Sequence, residues 1–587
     1  MHPPTRPARD HQKKMLRAHN LADYAKVIMK QMTNAEKTGQ TGCSTPGNVP
    51  RILLCGVFGP FGVDDEYGRK ENLMELYHNQ VTRIQGPASL RFHHRSFGLY
   101  FIAANIDADT TILDFPSRKR FIREIQKGYG IIGISFITPN FSKAREMARL
   151  IRLHAPKATI ILGGHGAAIE GIEELIDCDH VARGDGIRWM REYLGQDTGT
   201  PIVHPILPCS EYGRIFGIPI PGATPSVLVP GLGCVNGCHF CCTSHFFEKA
   251  YIPFFRTGKE LFEVADRIAK IRRTQEFSIM DENFLKDTTR ATELLAEMER
   301  RQRWFKFYIS SSAEGIMAFG IDNMVRLGVS FVWIGFESQN TEALFIKNSG
   351  IDAVQLVRDL RDRGISVLGS TMLCMEHHTP GNITADIEFA VGLQTDLVQF
   401  MLYTGMPMTQ LYQDHKERGL LNANVPFEEW HGQNMLNWHH PSIPNDQAKK
   451  WLDHAFRRDF EVNSSSIYRM IETAFRGYRW LEAMPSRDAC LEARYRQLRK
   501  RAQMYSQLLP VIARHAVNDT ERQRALSLDV ERRRIFGPVS AKERFVRLGA
   551  KLLAARWDMR VRLFGDRIQP ATIVTRNRIS KVRPQKP

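Results

Sequence analysis

The chain has 587 residues, a net charge of +17 and 43% hydrophobic residues, which suits about three or four globular domains with sizeable cores. Ten cysteines in that length exclude a disulfide-built scaffold, and no apolar run reaches the roughly 18 residues that cross a bilayer. The polar, basic opening MHPPTRPARDHQKK lacks the apolar core of a secretory signal, so a cytoplasmic location is expected.

Residues 1–49 read as an arm with one helix at most, closing in the linker-like run TGQTGCSTPGNVP. From 50 to 195 strand and helix patterns alternate. RILLCGVFG, TTILDF, YGIIGISF and KATIILGGHG read as buried strands, and SFGLYFIAANI and SKAREMARLIRLH as helices, the second with apolar residues at helical spacing. HVARGDG adds a short strand and loop. Such alternation predicts a parallel sheet covered on both faces, of the Rossmann-like or flavodoxin-like kind. Ligands on such sheets bind beyond the carboxyl ends of the strands. Those ends carry Ser135, Thr138, Gly163, Gly164, Gly184 and Asp185.

Residues 196–225, rich in Pro and Gly, read as a linker. Between 226 and 410 six further strand candidates follow: SVLVPG, EFSIMDE, KFYISSS, SFVWIGFES, ISVLGSTMLC and LVQFMLYTG. With helices between them they predict a partial, six-unit parallel β/α barrel, whose functional groups belong at the carboxyl rim. Beyond 411 the strand signal disappears, and the expectation is a basic, helical domain over 411–587. EEWHGQNMLNWHH reads as packing of its first helices or as a lid. The stretch 541–565 mixes Phe545, Leu548, Leu552 and Trp557 with Lys and Arg, a composition suited to a membrane interface or to packing with a solvated basic face. Peripheral membrane contact through 541–587 is therefore an expectation. No nucleic-acid-reading module is visible.

The densest chemistry lies just after the first barrel strand. GLGCVNGCHFCC places Cys234, Cys238 and Cys241 in C-x3-C-x2-C, with Cys242 adjacent. Thiolates suit iron–sulfur clusters or zinc. Three ligands leave one coordination position open, as in reactive rather than structural metal sites. A zinc site with His239 or His245 as fourth ligand, in a nucleic-acid-associated protein, is the different-class alternative.

The segment C-V-N-G-C-H-F-C, with Phe240 before the third cysteine, resembles the signature loop of the radical S-adenosylmethionine (radical SAM) enzymes. The strand end EFSIMDENF, the Gly-x-Glu-Ser of WIGFES and the preceding GLYFIAANI, IIGISF, IILGGHG and ARGDG resemble the cobalamin-binding branch of that superfamily. The resemblance implies a [4Fe-4S] cluster on Cys234, Cys238 and Cys241, with S-adenosylmethionine (SAM) on its fourth iron. Reductive cleavage of SAM would yield a 5′-deoxyadenosyl radical. It further implies SAM contacts from Phe240, Asp281, Glu282, Glu337 and Ser338, and cobalamin contacts from Ser135, Thr138, Gly163, Gly164, Gly184 and Asp185. The loop GPFGVDDEYGRK lacks the His of the Asp-x-His-x-x-Gly motif, so bound cobalamin would be base-off without a protein imidazole. The implied function is methylation of an unactivated carbon in a secondary metabolite or lipid, with cyclisation or rearrangement as the alternative. The implied partners are that substrate and an external one-electron reductant of the flavodoxin or ferredoxin type.

Overall fold

A computed structural model describes residues 50–59, 81–90, 94–209, 214–215, 218–219, 225–339, 348, 350–564 and 571–578. The N-terminal arm and most of the GPFGVDDEYGRK loop lie outside the described residues.

The first sheet is built from β1 (Ile52–Gly56), β2 (Thr110–Asp114), β3 (Ile131–Ser135), β4 (Thr159–Gly163) and β5 (His180–Val181). They are parallel in the order β2-β1-β3-β4-β5, the flavodoxin-like winding. Every residue of β1 and β2 is buried, as both faces are covered by helices. Helix Phe141–His154 buries Ala144, Met147, Ala148 and Ile151 on one face, the spacing read from the sequence.

The barrel strands are β6 (Ser226–Leu228), β9 (Glu276–Ile279), β10 (Lys306–Ser310), β11 (Val329–Glu337), β12 (Ser366–Leu373) and β13 (Leu397–Leu402). They run parallel in sequence order and leave the barrel open. A short antiparallel pair, β7 (Gly231–Gly233) and β8 (Tyr251–Pro253), sits at its mouth. Helix Gly258–Arg272 shows how local sequence sets an element. Thr257 and Glu260 form a capping box, and Arg273 ends the helix at φ +53. Its buried Leu261, Phe262, Ala265 and Ile268 join Phe277, Phe305 and Phe307 in one core, each such large side chain contributing about 1.5–3 kcal/mol.

The two sheets meet through Phe101, whose ring stacks on Phe254 at 5.6 Å and touches His204 at 4.8 Å. His204 fixes the linker: its Nε2 accepts from the Val229 N–H at 3.0 Å.

Downstream, helices Asn445–Asn463, Ser466–Glu482 and Ala489–Tyr505 pack on the barrel. The expectation that strands end at 411 is corrected by β14 (Ile573–Asn577), which pairs antiparallel with β2, Ile573 opposite Asp114. Its β-branched run Ile573-Val574-Thr575 suits a strand, and Arg576 anchors it to Glu124 at 2.9 Å. An isolated short run among basic residues carries no periodicity of its own; the exposed edge of β2 makes it a strand.

Candidate functional site

Strands β7 and β8 hold the cysteine loop between them, with Gly233 opposite Tyr251. Gly233 has φ +82, and a Cβ there would lie 2.3 Å from the carbonyl oxygen of Ala250, so only glycine closes this crossing. Within the loop Ser244 Oγ accepts from the Gly237 N–H at 3.1 Å and donates to the Cys234 carbonyl at 2.7 Å. The Cys241 N–H donates to the Cys238 carbonyl at 3.0 Å. The loop is thus shaped by its own polar contacts.

Cys234, Cys238, Cys241 and Cys242 all line one cavity of about 950 Å³. Among the described residues, His377, His378 and Asp386 bring three ligand atoms within 4.8 Å of one another, and no three of the loop thiols do. A single tetrahedral ion with Zn–S bonds of about 2.3 Å would gather the thiols closer. Three soft donors on one loop facing a cavity fit an iron–sulfur cluster. His239, one histidine considered for zinc, is engaged elsewhere. Its Nδ1 meets the Tyr403 hydroxyl at 3.0 Å and its Nε2 meets Asp414 Oδ2 at 2.7 Å. Burial pushes the Cys234 and Cys241 thiols up, and Glu282 adds to this. A ligated cation favours the thiolate and works against that cost.

The barrel rim supplies acidic groups in fixed settings. Asp281 is buried; its Oδ2 accepts from Tyr251 at 2.8 Å and from Arg290 at 3.0 Å. It therefore ties β8 to the end of β9 while facing the cavity. Glu282 also lines the cavity and is exposed to its open space; the protein packed around it and then the Asp281 charge push its carboxyl up to about 6. Glu337 lies where the β11–β12 register breaks. It adopts φ +67, a left-handed conformation uncommon outside glycine, and its buried side chain borders the cavity. The bulge re-aims the carboxylate inward. Phe240 lines the same space, at 6.4 Å from the Tyr403 ring.

Ser338 goes elsewhere. It is fully buried and donates to Asp386 Oδ2 at 2.8 Å. His378 joins that network: Nε2 meets Asp386 Oδ2 at 2.8 Å, and Nδ1 accepts from the Met375 N–H at 3.0 Å. Both ring nitrogens are occupied, so His378 and Asp386 form a structural lock. Cys374 sits at φ +58, a backbone form that glycine also suits.

Across the cavity stand the ends of the first sheet. Ser135, Thr138, Gly163, Gly164, Gly184 and Asp185 all line it. Gly164 has φ +80, and a Cβ there would lie 2.6 Å from the Phe136 carbonyl oxygen. Thr138 Oγ1 and His165 Nδ1 are buried without a hydrogen-bond partner among the described residues. Buried polar atoms are normally satisfied, so a bare glycine surface with unsatisfied donors and acceptors fits a large polar ligand tail laid against it. Asp185 serves locally, accepting from the Ile187 and Arg188 N–H groups as the N-cap of helix Gly186–Tyr193. His165 was missed in the sequence; its ring touches Phe246 of the cluster loop at 4.6 Å and so joins the two rims. Burial pushes it down to about 4. In EEWHGQNMLNWHH, Trp430 and Trp438 are core packing and His431 alone borders the cavity.

Residues 228–390 match the family model described as the radical SAM superfamily, and residues 88–194 match the B12 binding domain. The chain is 24% identical over 351 residues to the bacteriochlorophyllide d C-8(2)-methyltransferase of Chlorobaculum tepidum, covering 55% of this chain and 75% of that one. It is 22% identical over 359 residues to an uncharacterized methyltransferase of Pyrococcus horikoshii, covering 54% and 77%. Among solved structures it resembles the radical S-adenosylmethionine methyltransferase TsrM from Kitasatospora setae, with cobalamin and [4Fe-4S] cluster bound, at TM-score 0.47 and 15% identity over 77% of this chain and 99% of that one. A B12-binding domain followed by a radical SAM domain, their rims facing one cavity, makes this chain a radical SAM enzyme of the cobalamin-binding kind.

Proposed function

We propose that the enzyme transfers a methyl group from SAM to a carbon of an apolar small molecule or lipid. The observation that carries this reading is the shared cavity, with the four cysteines of the loop on the barrel side and the glycine rim of the B12-binding domain opposite. Bound together, an iron–sulfur cluster, SAM and cobalamin supply radical generation and a methyl carrier; an external flavodoxin- or ferredoxin-type protein would deliver electrons. Cys234, Cys238 and Cys241 would hold the cluster. Phe240, Asp281, Glu282 and Glu337 border the space for SAM, and Ser338 steadies Asp386 behind it. Ser135, Thr138 and the glycines 163, 164 and 184 would receive the cobalamin tail, and Asp185 holds the adjoining helix.

The substrate class is read from the rest of the lining. The cavity is also bordered by Phe331, Trp333 and Met401 of the barrel strands and by Met470, Tyr505 and Leu508 of the helices packed on them, a wall that excludes water and favours an apolar body. The names of both curated relatives, methyltransferases, agree with methyl transfer. The test is anaerobic turnover of the reconstituted holoenzyme with methyl-deuterated SAM, a reduced flavodoxin and a chloroform–methanol extract of the source cells. A product carrying three deuteriums is expected. SAM cleavage with a product lacking them would replace methyl transfer by cyclisation or rearrangement.

A further inference from the structure

Among the described residues, helix Ala541–Phe564 is held along one side. Ala550, Ala554 and Trp557 are buried, the first two in a cluster with Val511 and Leu508. Arg547 pairs with Asp529, and Glu543 pairs with Arg532. On the outer side stand Phe545, Leu548, Leu552, Met559 and Leu563, between 56% and 78% exposed. Their spacing places all five on one stripe at 100° per residue. The helix runs about 36 Å at 1.5 Å per residue, so the stripe is a long apolar ridge. Other exposed apolar side chains of the described residues are mostly scattered singly, which is ordinary.

Charge selects the occupant. The helix carries seven Lys and Arg against two acids, Glu543 and Asp558, both already in ion pairs with Arg532 and Arg562. Lys542 and Arg556 fall on one edge of the stripe, and Arg544, Lys551 and Arg562 on the other, by the same angular count, while Arg560 stacks on the buried Trp557. A second copy docked stripe to stripe would set these basic edges against each other. A surface of anionic headgroups over acyl chains satisfies both the ridge and its edges.

We infer that helix Ala541–Phe564 is a membrane-docking element that lies flat on an anionic bilayer surface. The same helix packs on Leu508, which with Tyr505 also lines the cavity. Leu508 therefore touches both the docking helix and the cavity. Presentation of a lipid substrate by this arrangement rests on the proposed function; the docking itself rests on the helix alone.

The experiment is co-sedimentation of the full-length protein with extruded vesicles, either pure phosphatidylcholine or phosphatidylcholine mixed equally with phosphatidylglycerol. Binding to the mixed vesicles is expected, weakened by salt. The double substitution Leu548→Glu with Leu552→Glu, at exposed positions, should lower apparent affinity by more than about tenfold while leaving the circular dichroism spectrum unchanged. Lys551→Ala and Arg556→Ala should each lower it by about fivefold on anionic vesicles only. Absence of pelleting with anionic vesicles would overturn the inference. So would pelleting insensitive to the double substitution, or a dimer in analytical ultracentrifugation that the same substitution dissolves. Since the assay needs no turnover, failure of the deuterium-transfer test leaves its outcome separately readable.

Discussion

The two rims that face the cavity are built on opposite plans. The barrel rim is crowded with side chains held in one another's hydrogen bonds: Arg290 and Tyr251 on Asp281, Ser244 across the cysteine loop, Glu337 turned inward by a strand bulge. The rim of the first sheet is almost bare, with Gly163, Gly164 and Gly184 and two unsatisfied polar atoms. A rim that positions reacting groups needs pre-set side chains. A rim that receives a bulky cofactor tail needs backbone that can be approached closely. The difference separates the two jobs, and substitutions on either side should therefore fail in different assays.

The largest effect is expected at the thiols. Cys234→Ala, Cys238→Ala or Cys241→Ala should remove iron and abolish SAM cleavage, whereas Cys242→Ala should leave both largely intact; equal loss at Cys242 would break the three-ligand reading. Next comes Gly164→Ala on the bare rim. Its Cβ would press on the Phe136 carbonyl in a backbone form that costs about 1–3 kcal/mol outside glycine. Cobalamin uptake, measured by equilibrium dialysis, should fall while iron content holds. Loss of iron as well would show that the rims are not independent. Glu337→Gln should raise KM for SAM by about tenfold or more, the scale of a lost charge-assisted hydrogen bond, with the cluster spectrum unchanged. The smallest effect sharpens the contrast most. Thr138→Val removes a buried hydroxyl that has no partner among the described residues. The unliganded protein should gain about 1 kcal/mol in stability, while cobalamin binding weakens severalfold. A loss of stability would mean the hydroxyl is satisfied without the cofactor.

Much of this was legible in the chain itself. Six barrel strands and the five parallel strands before them follow from apolar runs stopped by glycine or charge, because buried parallel strands read that way. The cysteine loop was legible because its ligands are close in sequence. Contacts between distant residues were not. His239 finds Asp414 across 175 positions, and no local pattern announces it. The inward turn of Glu337 depends on a register break with β12, and β14 depends on the vacant edge of β2. These are properties of the assembled fold.

That last pairing has a consequence for synthesis. Domains made on the ribosome generally fold in order from the amino terminus. Here β2 lies within the first domain, yet the strand that covers its edge is more than four hundred residues downstream, opposite Thr110–Asp114. Until residue 577 has emerged, the nascent first sheet carries an open strand edge, the feature that recruits foreign strands and chaperones alike. Of the two parallel sheets, the one that emerges first is thus the one whose edge is covered later.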